Sequence, residues 1–183
     1  MVESGSLHLV TGPSRGGKSR WAEHLARSSH LHVHYLATAA EDSHDTAWQD
    51  RIRRHRQRRP AQWTLHLPGD DLSGCLGQFL SGDLLLIDAL GTWLARHLDR
   101  DTEAWEVLER QLLDSLQTTP AAVVLVAEET GWGVVPPTAI GGLFRDRMGG
   151  LLERLHRRCD GSWLVLHGRA IDLLAHSLTV PEG

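Results

Sequence analysis

Gly12-Pro13-Ser14-Arg15-Gly16-Gly17-Lys18-Ser19 fits the phosphate-binding loop pattern G-x-x-x-x-G-K-[ST] at every fixed position. The apolar run Leu7-His8-Leu9-Val10-Thr11 precedes it and suits a buried strand. Residues 20–27 follow as a helix, with Trp21, Ala22, Leu25 and Ala26 on one side. Strand, glycine-rich turn and helix are the context this motif requires. Glycines let successive backbone N–H groups turn inward onto phosphate oxygens. The helix N-terminus adds partial positive charge and Lys18 adds a full one, while the Ser19 hydroxyl is a Mg²⁺ ligand of the usual kind. The stretch is therefore read as a nucleotide phosphate site.

Working outward, residues 31–38 alternate as a second strand with Leu31, Val33 and Tyr35 apolar. Residues 46–59 read as a helix through Trp48, Ile52 and His55, ending before Pro60. Strands are expected at 62–67, 84–88, 121–127 and, last, 162–166, and helices at 71–80, 90–98, 102–116 and 143–157. Residues 130–138, with two glycines and two prolines, read as a loop. Strands alternating with helices, the interior strands apolar throughout, predict an α/β fold with a mostly parallel sheet covered on both faces. One domain over 1–175 is expected, with a tail at 176–183 read as disordered. In such sheets ligands lie at the carboxyl ends of the strands, which singles out Gly12 to Ser19, Thr38, Asp88, and Glu128 with Glu129.

Bulk properties exclude several classes. A net charge of −4 over 183 residues leaves no overall electrostatic footprint for nucleic acid. No apolar run approaches the roughly 20 residues of a membrane span, and no signal peptide is visible, so a cytoplasmic protein is expected. Cys75 and Cys159 stand far apart, which supports neither a disulfide framework nor a zinc site, and both are read as buried, inert thiols.

Asp88 closes an apolar strand, where nucleotide-loop enzymes place a carboxylate near Mg²⁺ and the phosphates; this reading is favoured over a structural ion pair. Arg51, Arg53, Arg54, Arg56, Arg58 and Arg59 crowd into nine positions. A solvated charged face, nucleic-acid contact and recognition of a triphosphate are all open for that run. The third follows from the fit of guanidinium forks to phosphate oxygens. Within the run, His55 is the group that titrates near neutral pH and can act as a nucleophile, although one of twelve histidines is not selected by composition. The segment from Glu128 to Pro136 holds two carboxylates and a glycine-flanked Trp132. It reads equally as a ligand-facing loop or as a loop anchored on the core by its tryptophan. Arg145 is open between reaching a phosphate and plain exposure.

Several segments together resemble one family, the bifunctional adenosylcobinamide kinase and adenosylcobinamide-phosphate guanylyltransferase of cobalamin biosynthesis. They are Thr11 to Ser19; Tyr35-Leu36-Ala37-Thr38-Ala39; Arg51-Ile52-Arg53-Arg54-His55-Arg56 with Arg59-Pro60 and Trp63; Leu86-Ile87-Asp88-Ala89-Leu90-Gly91-Thr92-Trp93-Leu94; Glu129-Thr130-Gly131-Trp132-Gly133-Val134-Val135-Pro136; and Phe144-Arg145-Asp146-Arg147-Met148-Gly149. The resemblance implies a RecA-like P-loop NTPase fold, a homotrimer with the cobinamide site near a subunit interface, and no nucleic-acid partner. It implies phosphorylation of adenosylcobinamide by ATP or GTP, then transfer of GMP from GTP to adenosylcobinamide phosphate through a guanylylated histidine. The matching residue is His55. Nucleotide binding then falls to Gly12 through Ser19, Ala37, Thr38, Ala39, Arg56, Gln57, Arg58, Arg59, His66 and Asp88, with Lys18 catalytic and Ser19 and Asp88 on Mg²⁺. A P-loop kinase without guanylyltransferase activity, or a non-catalytic RecA-like module, are the competing readings. The chain departs from the family pattern at His66, where a glutamate that reads guanine is usual, at Glu128, where an asparagine is usual, and at Leu152-Glu153, where an Asn-Gln pair is frequent.

Overall fold

The computed structural model describes residues 2–39, 53 and 59–181. A seven-stranded sheet runs in the order β3-β2-β4-β5-β1-β6-β7. Its strands are β1 (Leu7–Thr11), β2 (His32–Ala37), β3 (Thr64–His66), β4 (Asp83–Asp88), β5 (Ala122–Val126), β6 (Gly161–Leu166) and β7 (Arg169–Asp172). All pairings are parallel except β6 with β7. The described helices are α1 (Lys18–Arg27), α2 (Leu72–Leu76), α3 (Leu90–Ala95), α4 (Thr102–Thr118), α5 (Ala139–His156) and α6 (Leu173–His176).

Every residue of β1 and β5 is buried, which is why both read as apolar runs rather than as alternating ones. Alternation still decides which face each side chain enters. Leu7, Leu9, Leu85, Ile87, Val123 and Leu125 pack with α2, α3, α4 and α5 on one face. Val10, Tyr35, Leu84, Leu86, Val124 and Val126 pack with Ala22 and Ala26 of α1 on the other. The expected parallel sheet with helices on both faces is present. Among the described residues, no helix is long and apolar enough to cross a membrane.

The differences from expectation have local causes. Helix α1 begins at Lys18, inside the loop motif, because Gly17 in left-handed conformation serves as its N-cap. Helix α5 begins at Ala139, four residues before the expected start, because the Thr138 hydroxyl accepts the Gly141 N–H and caps it. Helix α2 stops at Leu76, with Gly77 at its C-cap, well short of residue 80. The strand expected to be last is followed by another: His167 (φ 52°) and Gly168 (φ 76°) turn β6 back into β7, as two-residue hairpins with positive φ do. The cysteines are free and half-buried rather than buried, their thiols raised by burial, Cys159 to about 12. The helix expected at 46–59 lies outside the described residues apart from Arg53 and Arg59. The short helix Leu173–His176 ends on the first residue of the expected tail, and 177–181 are exposed without helix or strand.

Candidate active site

Strand β1 lies between β5 and β6, and the chain leaves β1 and β5 in opposite directions, α1 covering one face and α5 the other. That is the switch point of a doubly wound sheet, where a crevice opens beyond the strand ends. The Gly12–Ser19 loop occupies it.

The loop is shaped by close backbone contact. Gly12 has φ 145°, and a Cβ on it would lie 2.2 Å from the Val165 carbonyl oxygen of β6; only glycine fits both constraints. The Gly16 N–H donates to the Pro13 carbonyl at 3.2 Å, and Gly168 N–H donates to the Gly16 carbonyl at 2.9 Å. The Glu129 N–H donates to the Gly12 carbonyl at 2.9 Å, tying the β5 end to the loop. Lys18 is buried, its Nζ donating to the Pro13 carbonyl at 3.0 Å, so the ammonium is held within the loop's own curl. Ser14 and Arg15 are exposed, and Pro13, Gly17 and Ser19 half-buried.

Helix caps separate the start of α1 from the other helix starts. Helices α2, α4, α5 and α6 are each capped by a side chain, from Asp71, Asp101, Thr138 and Asp172. Helix α1 has no side-chain cap and no acidic residue in its first turn, leaving first-turn N–H groups for an anion. Helix α3 also lacks a local cap, but Glu128, two residues beyond the end of β5, supplies one: its Oε2 accepts the Gly91 N–H at 3.0 Å. Gly91 is the residue that admits this, since a Cβ there would stand 2.2 Å from Glu128 Oε2. Burial raises the Glu128 carboxyl above its ordinary value; Lys18 pulls it down and Asp88 pushes it up, so the three groups share one electrostatic neighbourhood. Burial also raises Glu129.

Asp88 ends β4 half-buried, and the Tyr35 hydroxyl donates to its Oδ2 at 2.8 Å. Burial and the Asp88 carboxylate hold the Tyr35 phenol well above its usual range, so it stays a donor. The Arg59 guanidinium lies 4.9 Å from the Tyr35 ring centre. Arg59, Tyr35 and Asp88 thus form a chain of contacts that ends at the carboxyl end of β4. His55, Arg56, Gln57 and Arg58 lie outside the described residues. Ala37 pairs in register with Asp88, and Ala39 is half-buried. Thr38 is buried, its hydroxyl donating to the Ala89 carbonyl at 2.5 Å with Thr92 Oγ1 2.6 Å away, an arrangement that ties the ends of β2 and β4. His66 sits on edge strand β3 against His34, whose Nδ1 is 2.9 Å from His66 Nε2.

Trp132 is 57% exposed and Val134 96%, so the loop after β5 is not anchored on the core by its tryptophan. Arg145 pairs with Asp146 at 3.9 Å, while the neighbouring Arg147 is buried and donates to the carbonyls of His97, Arg100 and Asp101. Leu152 is a core residue and Glu153 pairs with Arg157 on the surface, so that departure from the family pattern belongs to the scaffold. Sequence reasoning missed Tyr35 as a polar residue. It is the only tyrosine in the chain, and strand alternation alone marks it as an apolar position.

Known proteins resemble this chain over most of its length. Residues 8–173 match the family described as cobinamide kinase / cobinamide phosphate guanyltransferase. The chain is 37% identical over 172 residues to the bifunctional adenosylcobalamin biosynthesis protein CobP of Pseudomonas aeruginosa, covering 93% of this chain and 98% of the relative. It is 33% identical over 180 residues to the bifunctional adenosylcobalamin biosynthesis protein CobU of Salmonella typhimurium, covering 90% and 98%. Among solved structures, a prototypical ATPase from a bacterial type III secretion system superposes with a TM-score of 0.55 at 10% identity, over 96% of this chain and 59% of that one, a likeness of fold alone. With its loop, strand-end carboxylates and near full-length matches, the chain belongs to the cobinamide kinase / cobinamide phosphate guanyltransferase family.

Proposed function

We propose that this chain is a bifunctional enzyme that phosphorylates adenosylcobinamide with ATP or GTP and then joins GMP from GTP to the product. The observation that carries the reading is the joint placement of uncapped α1, buried Lys18, Asp88 and Glu128 around one loop in a chain of this family. In the first step the substrate hydroxyl oxygen bonds to the γ-phosphorus, the bond to the β–γ bridging oxygen breaks and the hydroxyl proton leaves. Lys18 and the first-turn N–H groups of α1 hold the charge that moves onto the nucleoside diphosphate. In the second step a His55 ring nitrogen bonds to the α-phosphorus of GTP and pyrophosphate departs. A phosphate oxygen of adenosylcobinamide phosphate then displaces His55, giving adenosylcobinamide-GDP. Arg59, stacked on Tyr35, supports a role for Arg56 to Arg59 at the triphosphate, and His66 is the side chain assigned to guanine.

The donor set suits Mg²⁺, which takes hard oxygen ligands: the Ser19 hydroxyl at the start of α1 and the Asp88 carboxylate steadied by Tyr35. When bound, the ion neutralises phosphate charge. The same reading carries a homotrimer acting in the cytoplasm, with the exposed loop around Trp132 beside the corrinoid and the next subunit.

The test is GTP labelled at the α-phosphate. Wild-type protein should retain acid-labile label, and His55→Ala should lose it while cobinamide-dependent transfer of γ-phosphate continues. A wild type that phosphorylates cobinamide but takes no label would remove the guanylyltransferase half, and nucleotide binding with no turnover would remove both.

A further inference from the structure

At the other end of the sheet from the phosphate loop, two histidines and a carboxylate converge. Register places His32 of β2 beside Asp83 of β4, and alternation sends His32 and His34 to the same face. Asp83 Oδ1 lies 3.5 Å from His32 Nδ1 and 3.3 Å from His34 Nε2. One donor atom from each of the three residues lies within 4.8 Å of the others. Tetrahedral zinc with bonds of about 2.0–2.1 Å has ligand–ligand edges of about 3.4 Å. Two edges already have that length, and the third closes by turning the His32 ring, whose side chain is 59% exposed.

The surrounding contacts suit ligation as well. His34 Nδ1 faces His66 Nε2 at 2.9 Å, so a proton on His34 Nδ1 donates to His66 and leaves the Nε2 lone pair facing the cluster. Asp83 Oδ2 accepts the Leu80 N–H at 2.9 Å, leaving Oδ1 for a metal. Ligating imidazoles and carboxylates are commonly oriented by such outer hydrogen bonds. Phe79 packs against both His34 and His66, with ring centres 4.8 and 5.2 Å away.

We propose that His32, His34 and Asp83 bind one divalent cation of the zinc class, with water completing a tetrahedron on the exposed side. Two nitrogens and one oxygen select Zn²⁺, Co²⁺ or Ni²⁺ over Mg²⁺, which prefers oxygen and octahedral geometry. The site is separate from the Mg²⁺ donors: Asp83 and Asp88 stand at opposite ends of β4, about 16 Å apart by strand rise, and on opposite faces. The cation bridges the amino ends of β2 and β4.

The test uses tag-free full-length chain, stripped with chelator and free of nucleotide, titrated with Zn²⁺ against a chromophoric chelator. One equivalent should bind, excess Mg²⁺ should not displace it, and Co²⁺ in its place should give the visible bands of a tetrahedral site. His32→Ala, at an exposed position, and Asp83→Asn should each weaken binding by at least about tenfold. Zn²⁺ should raise the thermal midpoint of wild type more than that of His32→Ala at the same concentration, with circular dichroism checking that both fold alike. Failure to retain zinc, or binding undiminished in His32→Ala and so due to others of the twelve histidines, would overturn the proposal.

Discussion

Gly91→Ala isolates the contact between β5 and α3. The new Cβ would lie 2.2 Å from Glu128 Oε2 and 2.9 Å from its Cδ, so the carboxylate must withdraw by about 1 Å, given ordinary van der Waals separation. Withdrawal breaks the 3.0 Å bond from the Gly91 N–H, and a hydrogen bond to a charged group contributes about 1.5–3 kcal/mol. Alanine returns up to about 1 kcal/mol of helix propensity, leaving a net loss of about 1–2 kcal/mol. For a chain of this size that is a fall in Tm of about 2–8 °C. In a Glu128→Ala background nothing obstructs the methyl group, and the same substitution should stabilise by up to about 1 kcal/mol. The coupling across the cycle is then about 2–3 kcal/mol, at the upper end for residues in contact. Urea unfolding of the four proteins, followed by circular dichroism, measures it. Equal costs of Gly91→Ala in both backgrounds would refute the assignment of Glu128 as the cap of α3.

Two further outcomes follow from the same neighbourhood. Because burial raises Glu128 in the folded chain, the folded state holds that proton more tightly than the unfolded one. Stability contributed by Glu128 is therefore full below its ordinary value of 4.5 and is lost as pH rises through the raised one. Glu128→Gln should gain stability relative to wild type as pH rises from 4.5 through the raised value and level off above it, and a difference that stays flat across that window would contradict it. Tyr35→Phe removes the 2.8 Å bond to Asp88 from a buried position and should cost about 1.5–3 kcal/mol, and it should raise the Mg²⁺ concentration that half-saturates the kinase assay; an unchanged urea midpoint would show that Asp88 does not depend on it.

What was readable in the sequence was local. The loop glycines carry a backbone requirement visible at fixed spacing, and β4 and β5 are apolar throughout because both their faces are covered. Helix α5 was begun late because Gly141-Gly142 masks periodicity, whereas the signal that decided it was the Thr138 cap. Strand β7 was missed because its turn is His167-Gly168 rather than the Asn-Gly or Asp-Gly pairs that announce a hairpin. The placement of Lys18 at the start of α1 and of Asp88 at the end of β4 is legible from the motif and the apolar run. The bonds from Tyr35 to Asp88 and from Gly91 to Glu128 join residues 53 and 37 apart, and only strand order brings such pairs together. His32 and His34 were read as strand alternation because their carboxylate partner lies on β4.

The packing of the phosphate loop against Val165 and Gly168 bears on synthesis of the chain. Strand β1 and its loop are made first, yet their neighbours on one side, β6 and the hairpin turn, emerge roughly 150 residues later. A nascent chain therefore carries a complete phosphate-loop motif through most of translation without the wall that shapes it. Grip on a nucleotide should appear late and abruptly as residues 161–168 leave the ribosome, so that bound nucleotide favours finished molecules over partial ones.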